Sequence, residues 1–439
     1  MILIYDIIIL LKYGDTEEYF LEKILVKNSL NLTGTVRISG AKNAALPILA
    51  ASILGTEDIV LEDVPELKDV EIMTEVLKSL GSDVKKIGKN KLIINSKNLN
   101  SYITKYELMS KMRASFLVMG PLLGRLGKTV NSLPGGCNIG SRPIDLHLKG
   151  FEALGAEIVN NVGDITATAE ELKGNRIYLD FPSVGATENI IMAAVLAKGE
   201  TVIENAAMEP EIVDLANFLR KMGANVSGAG TSTIKIKGVE ELKGCTHQII
   251  PDRIEAGTFM VAAAITGGDV VVDNVISSHM KPVIAKLEEA GCEVIEEDDK
   301  IRVIGNENLK GISIKTLPYP GFPTDMQAQF LALMTQLKGN SSVIETVFEN
   351  RFMHADELNK MGADISVSGK EAILNGPKKL TGTKVKATDL RAGAALILAG
   401  LVSEGVTEIS DIYHIDRGYE DIEEKFRGLG ADIERVDRD

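Results

Sequence analysis

The chain contains no tryptophan, and its 439 residues include only three cysteines, Cys137, Cys245 and Cys292. An odd, widely spaced set forms neither a disulfide framework nor a zinc site. It suits a reducing compartment and leaves at most a reactive thiol to explain. Long apolar runs are also missing, since none approaches the roughly 18 residues that a membrane span requires. The opening MILIYDIIILLKYG is greasy, but Asp6 interrupts it, no cation precedes it and no small-residue cleavage site follows, so it predicts a strand or an extension rather than an export signal. A cytoplasmic protein without membrane partners is expected. Excess positive charge is lacking too: the net charge of −14 opposes nucleic acid and anionic lipid, so an anionic substrate needs a local cluster of cations. There is no Walker loop, no HExxH and no GxSxG, and GAGTST lacks a dinucleotide fingerprint. The five histidines are scattered; His147 and His354 read as packing residues, and neither a metal nor another cofactor is implied.

What remains is the composition of an ordinary globular chain, 45% hydrophobic and 25% charged, with length for about two or three domains. Within it one unit recurs. SLGSDV, ALGAEI, KMGANV, EAGCEV, KMGADI and GLGADI place Gly81, Gly155, Gly223, Gly291, Gly362 and Gly430 at the ends of amphipathic helices, where glycine fits a left-handed cap before a strand. A second, almost wholly apolar helical stretch precedes each copy, as in IEAGTFMVAAAITGGDVVV and RAGAALILAGLVSEGVTEI. Helices apolar all round belong in the interior, while alternating strands such as TSTIKIKG and NKLIINS form sheets outside them. The expectation is an α/β fold of two similar domains with three units each.

Aligned by their starts, the buried helices carry Lys42, Arg113, Glu188, Arg253, Asp325 and Arg391; Arg142, Arg351 and Arg417 sit before amphipathic helices. A helix N-terminus is already electropositive, so cations there break a local rule, and such violations concentrate at functional sites. If equivalent ends point into one cleft, Lys42, Arg113, Arg142, Arg351, Arg391 and Arg417 converge to bind a small polyanion. Arg253, at the junction of the halves, is expected to be structural. SLPGGCNIGSRPIDLH sets Cys137 among Gly135, Gly136 and Gly140. A thiol with pKa about 8.5 can donate a proton at neutral pH and gains reactivity beside cations such as Arg142. Cys245 and Cys292 are expected to be inert.

From about Val26 to Asp439 the motifs SGAKNAALP, MRASF, LPGGCNIGSRPIDLH, SVGATENI, FPTDMQAQF, ENRFMH, ATDLRAGA and YHIDRGYE together resemble the UDP-N-acetylglucosamine enolpyruvyl transferase family. The resemblance implies two inside-out α/β barrels of three units each, with hinges near Lys42 and between His247 and Asp252. The first domain would cover residues 44–249, the second 26–43 plus 250–439, with 1–25 as an extension of no assigned role. It implies transfer of the enolpyruvyl group of phosphoenolpyruvate to the 3'-hydroxyl of UDP-N-acetylglucosamine, an early step of peptidoglycan synthesis. Lys42, Asn43, Arg142, Arg351, Arg391 and Arg417 would hold phosphoenolpyruvate. Arg113, Arg142, Pro143, Ile144, Asp145, Leu146, Ser183, Val184, Gly185, Asp325 and Val347 would hold the nucleotide sugar. Cys137 is expected as proton donor, Asp325 as base, Lys42 as helper in breakdown of the intermediate, and Asp389 as support for a closed state. Two alternatives are a transferase acting on shikimate 3-phosphate, whose family lacks the cysteine loop, and a silent UDP-sugar-binding paralogue, which should have lost the charged residues.

Overall fold

The computed structural model describes residues 22–132 and 144–437. Its residues form two hydrophobic cores. One runs from Ala41 to Ile249; the other joins Ile24–Ile38 to residues 254–433. The chain crosses between them twice, and the crossings pair with each other: Ala41 N–H donates to Ile250 O at 2.7 Å and Asp252 N–H to Ser39 O at 2.9 Å. Lys42 and Asn43 therefore open the first domain's helix Lys42–Ala51, where the sequence boundary had put them in the second domain.

The described residues contain all six expected amphipathic helices: Lys68–Leu80, Asp145–Ala153, Pro210–Lys221, Lys281–Ala290, Met353–Lys360 and Ile422–Gly428. The six glycines that follow them all have φ between 94° and 109°, the left-handed geometry that a Cβ disfavours. Helices Lys42–Ala51, Met119–Leu126 and Val184–Ala194 lie inside the first core, and Arg253–Thr266, Gln327–Met334 and Leu390–Leu401 inside the second. Every residue from Ile254 to Thr266 is buried, as apolarity on all faces requires. Close packing of these helices relies on small residues. A Cβ on Gly120 would stand 2.3 Å from the Asn189 carbonyl oxygen, and the Gly120 N–H instead donates to the Asn189 side chain at 2.7 Å.

Six sheets surround the helices, five with four strands and one with three. Each four-stranded sheet repeats one pattern, a parallel pair followed by two antiparallel pairings. In the three-stranded sheet a single parallel bridge, Ile103 to Val130, stands where the fourth strand belongs. Alternate residues of the strands are buried, as in Thr233–Lys237, where Ile234 and Ile236 point inward.

Two further expectations need correction. The extension cannot run to residue 25, because Glu22–Lys27 is a strand lodged between Val406–Ser410 and Ile433–Asp437, antiparallel to both. This strand completes the sixth unit, whose other strands are Lys384–Lys386, Val406–Ser410 and Ile433–Asp437. Glu188 is not at a helix start either. Ser183 caps the helix by accepting from Ala186 N–H at 3.4 Å, which puts Glu188 in the fifth position, buried.

The strand predicts a sharp contrast between two truncations. Removing residues 1–21 should leave Tm unchanged. Removing 1–27 takes away Ile24 and Val26, both fully buried, at about 1.5–3 kcal/mol each, and orphans two strand edges. That is a large part of the roughly 5–15 kcal/mol that holds a domain folded. Thermal unfolding of both truncated chains checks this; equal Tm values would mean the strand is dispensable.

Candidate functional site

Two carboxylates organise the cations that the repeat alignment singled out. The first is Asp69, in the first turn of helix Lys68–Leu80 and 2% exposed. Its Oδ1 accepts from Arg417 Nε at 2.8 Å, and its Oδ2 lies 3.4 Å from Lys42 Nζ. Arg417 follows the short helix Tyr413–Asp416 of the second domain, rather than opening the helix that begins at Ile422, so this cluster spans both domains. The second is Asp325, in the turn Thr324–Met326 before the buried helix Gln327–Met334. Arg351 Nη2 donates to it at 2.9 Å and Arg391 Nη2 at 3.0 Å.

The two clusters act on each other. Burial lowers the pKa of Lys42; Asp69 and Asp325 oppose this, and Arg391 and Arg417 add to it. Burial alone would raise the Asp325 carboxyl, but the guanidinium groups of Arg391 and Arg351 outweigh it and hold the carboxyl well below the usual range. Asp325 is therefore ionised at neutral pH and, while both arginines hold it, a weak base. Arg391 and Arg351 are 3% and 4% exposed, and their Nη1 atoms are buried without a hydrogen-bond partner among the described residues. Buried guanidinium N–H groups without an acceptor among the described residues suit a ligand that brings its own oxygens, such as a carboxylate or phosphate.

Other expected residues support these two groups. Asp389 is the N-cap of helix Leu390–Leu401, and its Oδ1 accepts from the N–H groups of Arg391 at 2.9 Å and Ala392 at 3.1 Å. It thereby fixes the helix turn that carries Arg391. Val347 N–H donates to Glu345 Oε1 at 2.7 Å; the other oxygen of Glu345 accepts from Thr324, next to Asp325. Asn43 lies half-buried beside Lys42 at the start of its helix.

A third group gathers around His147. Gly185 lies so close that a Cβ there would stand 3.2 Å from the ring, and Phe116 meets the ring edge-on. Asn189 Nδ2 donates to His147 Nδ1 at 3.0 Å. Burial, then the charge of Arg113, lowers the His147 pKa to about 3, so the ring is neutral. Arg113, which opens the segment Arg113–Val118, thus stands near Ile144–Leu146 and Ser183–Gly185, the segments expected to hold the nucleotide sugar. His354 is likewise buried and neutral, its pKa lowered to about 4 mainly by burial and only partly restored by Asp389. Both histidines pack, as expected.

Arg253 Nε donates to Glu211 at 3.0 Å, which ties the second crossing to helix Pro210–Lys221. Cys137, Arg142 and Pro143 lie outside the described residues. Among the described residues, no group of three His, Cys, Asp or Glu side chains is placed to hold a metal ion, and no helix is long and apolar enough to cross a membrane. Sequence reasoning missed Asp69 and Glu345, single acids without a motif of their own.

The profile of EPSP synthase (3-phosphoshikimate 1-carboxyvinyltransferase) matches residues 26–426. Curated relatives then decide between branches. The chain is 67% identical over 420 residues to the UDP-N-acetylglucosamine 1-carboxyvinyltransferase of Finegoldia magna, covering 95% of this chain and 99% of that one. It is 62% identical to UDP-N-acetylglucosamine 1-carboxyvinyltransferase 1 of Caldanaerobacter subterraneus subsp. tengcongensis, over 94% of this chain and 99% of that one. The chain belongs to the UDP-N-acetylglucosamine 1-carboxyvinyltransferase family. Among solved structures, the enolpyruvyl transferase NikO from Streptomyces tendae superposes with a TM-score of 0.86 at 24% identity, over 95% of this chain and all of that one. EPSP synthase from Acinetobacter baumannii superposes with a TM-score of 0.75 at 19% identity, over 95% of this chain and all of that one. These two likenesses bear out the two-domain α/β fold expected from the repeats.

Proposed function

We propose that this chain transfers the enolpyruvyl group of phosphoenolpyruvate to the 3'-hydroxyl of UDP-N-acetylglucosamine, with release of phosphate, in the cytoplasm. The observation that carries the reading is the convergence of Lys42, Arg351, Arg391 and Arg417 on two carboxylates, Asp69 and Asp325, in an otherwise acidic protein. The family's high-identity relatives share that activity by name.

The chemistry needs a proton on C3 of phosphoenolpyruvate, attack of the sugar 3'-oxygen on C2, and then loss of phosphate. Cys137 is assigned the proton to C3, and the Cys137 sulfur can take a C3 proton back as the ketal expels phosphate. Lys42, Arg142 and Arg417 hold the phosphate, stabilise the departing dianion, and let Lys42 assist its proton transfers. Arg351 and Arg391 face the substrate carboxylate, with Asn43 beside the phosphate.

Asp325 takes the proton of the 3'-hydroxyl, and here its two arginine partners matter. A substrate carboxylate that draws Arg351 and Arg391 toward itself weakens their hold on Asp325 and raises its basicity. The base is thus strengthened when the electrophile arrives. Arg113, Arg142 to Leu146, Ser183 to Gly185 and Val347 hold the nucleotide sugar, and Asp389 supports the closed state by fixing Arg391.

Asp325→Asn should lower kcat by roughly 100-fold or more, since it removes the base, and should raise KM for phosphoenolpyruvate less, since the amide oxygen still accepts from one arginine. Steady-state kinetics reads it; an unchanged kcat would remove Asp325 from the reaction. The functional reading is tested by phosphate release from phosphoenolpyruvate with UDP-N-acetylglucosamine or with shikimate 3-phosphate as acceptor. Turnover is expected with the first alone. Turnover with the second instead would favour the related transferase, and with neither, a silent paralogue.

A further inference from the structure

We propose that Asp69 is a positioning residue for this reaction, its carboxylate spanning the two domains to set the Lys42 ammonium and the Arg417 guanidinium side by side for the phosphate. The inference rests on the assignment of those two cations to phosphoenolpyruvate. Asp69 is almost wholly buried, and both of its oxygens face cations: Oδ1 receives Arg417 Nε at 2.8 Å, and Oδ2 lies 3.4 Å from Lys42 Nζ and 3.5 Å from Arg417 Nη2. The three residues come from the first turns of two helices in the first domain and from the loop after Tyr413–Asp416 in the second.

The carboxylate solves two physical problems. Two adjacent cations repel and would swing apart unless a negative charge lies between them. Asp69 supplies it from a helix N-terminus, where the helix dipole favours a carboxylate. Asp69 takes only some of the three N–H groups of an ammonium and the five of a guanidinium, so its hold does not by itself saturate either cation.

The second problem is keeping Lys42 charged. Burial, Arg391 and Arg417 all disfavour its protonated form, and Asp69 is the strongest opposing influence, ahead of Asp325. Of the elements packed on Lys42's helix, Arg113–Val118 adds the cation Arg113. Helix Pro210–Lys221 adds Glu211 and Asp214, but these are engaged by Arg253 and His247. Neutralising Asp69 leaves Lys42 among cations, and its proton is lost at lower pH.

The test compares the full-length protein with its Asp69→Asn and Asp69→Glu variants in phosphate release, with Tm and the pH profile of kcat/KM for phosphoenolpyruvate measured alongside. In Asp69→Asn the KM for phosphoenolpyruvate should rise by about thirty-fold or more, while the KM for UDP-N-acetylglucosamine changes little. The alkaline limb of the profile should move to lower pH. Asp69→Glu, which keeps the charge, should restore the alkaline limb and part of the affinity. The idea is overturned if Asp69→Asn matches the wild type, or if both KM values rise together with the limb unmoved, as for a mere brace between domains. Should Asp69→Asn fail to fold, Asp69→Glu decides: a limb shifted like that of a charge-free variant overturns the proposal, and a wild-type limb supports it. If the wild type itself releases no phosphate, the functional reading falls on its own account.

Discussion

Arg417→Ala is expected to lower kcat/KM for phosphoenolpyruvate by about 3 kcal/mol, more than a hundredfold, with little change in Tm. The size follows from where the side chain lies. Arg417 joins a buried carboxylate to the proposed phosphate site and brings the second domain's charge beside Lys42 of the first. Its removal takes one guanidinium from the dianion and leaves Asp69 balanced by a single cation, so binding and phosphate departure both lose support. The side chain is 34% exposed, which limits the packing that its truncation removes and is why folding should tolerate the change. Arg417→Lys keeps the charge without the planar fork and should fall between the two. Steady-state kinetics and thermal unfolding of the three proteins check this; a wild-type rate in Arg417→Ala would mean the cleft is assigned wrongly.

The second large effect concerns Cys137, assigned from its glycine-rich loop and the family resemblance. A phosphonate epoxide that mimics phosphoenolpyruvate, fosfomycin, should be held by the phosphate cations and alkylate this sulfur, and UDP-N-acetylglucosamine should accelerate the reaction by closing the domains. The other two thiols serve as internal controls. Burial raises the Cys245 thiol and pushes that of Cys292 up to about 12, so little thiolate forms at either. Cys137→Asp keeps a proton donor without the nucleophile, and activity should persist while inactivation disappears. Cys137→Ser donates far less readily and should lose roughly a hundredfold or more of kcat. Peptide mass spectrometry of the treated wild type identifies the modified residue. An adduct on Cys245 or Cys292, or none, would contradict the assignment.

Much of this fold was legible because its signals are local and repeated. A glycine that ends an amphipathic helix leaves a mark in six consecutive residues, and six such marks in order define the units. Lys42, Arg351 and Arg391 were legible for a related reason, since cations at helix starts oppose the helix dipole; Arg417 was singled out on the same ground, although it follows a short helix instead of opening one. What escaped notice is non-local or locally ordinary. That Glu22–Lys27 completes the last sheet depends on pairing with residues near 408 and 435, which no window of sequence contains. Asp69 sits in KDVEIM, where an acid in a first turn needs no explanation beyond the helix dipole, and only its two partners reveal a further role. Glu188 was misplaced because a common start was imposed on all six buried helices, whereas Ser183 begins this one earlier. FPTDMQAQF singled out Asp325 as a candidate, but its embrace by two arginines, and hence its weakness as a base in this state, was not visible there.

The central claim is most directly tested by identifying the product. The protein is incubated in deuterium oxide with phosphoenolpyruvate and UDP-N-acetylglucosamine, and the sugar nucleotide is analysed by mass spectrometry and NMR. Addition followed by elimination predicts an enolpyruvyl ether on the 3'-oxygen, deuterium in its vinyl group, and one phosphate released for each ether formed. Recovery of unmodified UDP-N-acetylglucosamine, or of a phosphorylated sugar in place of the ether, would contradict it.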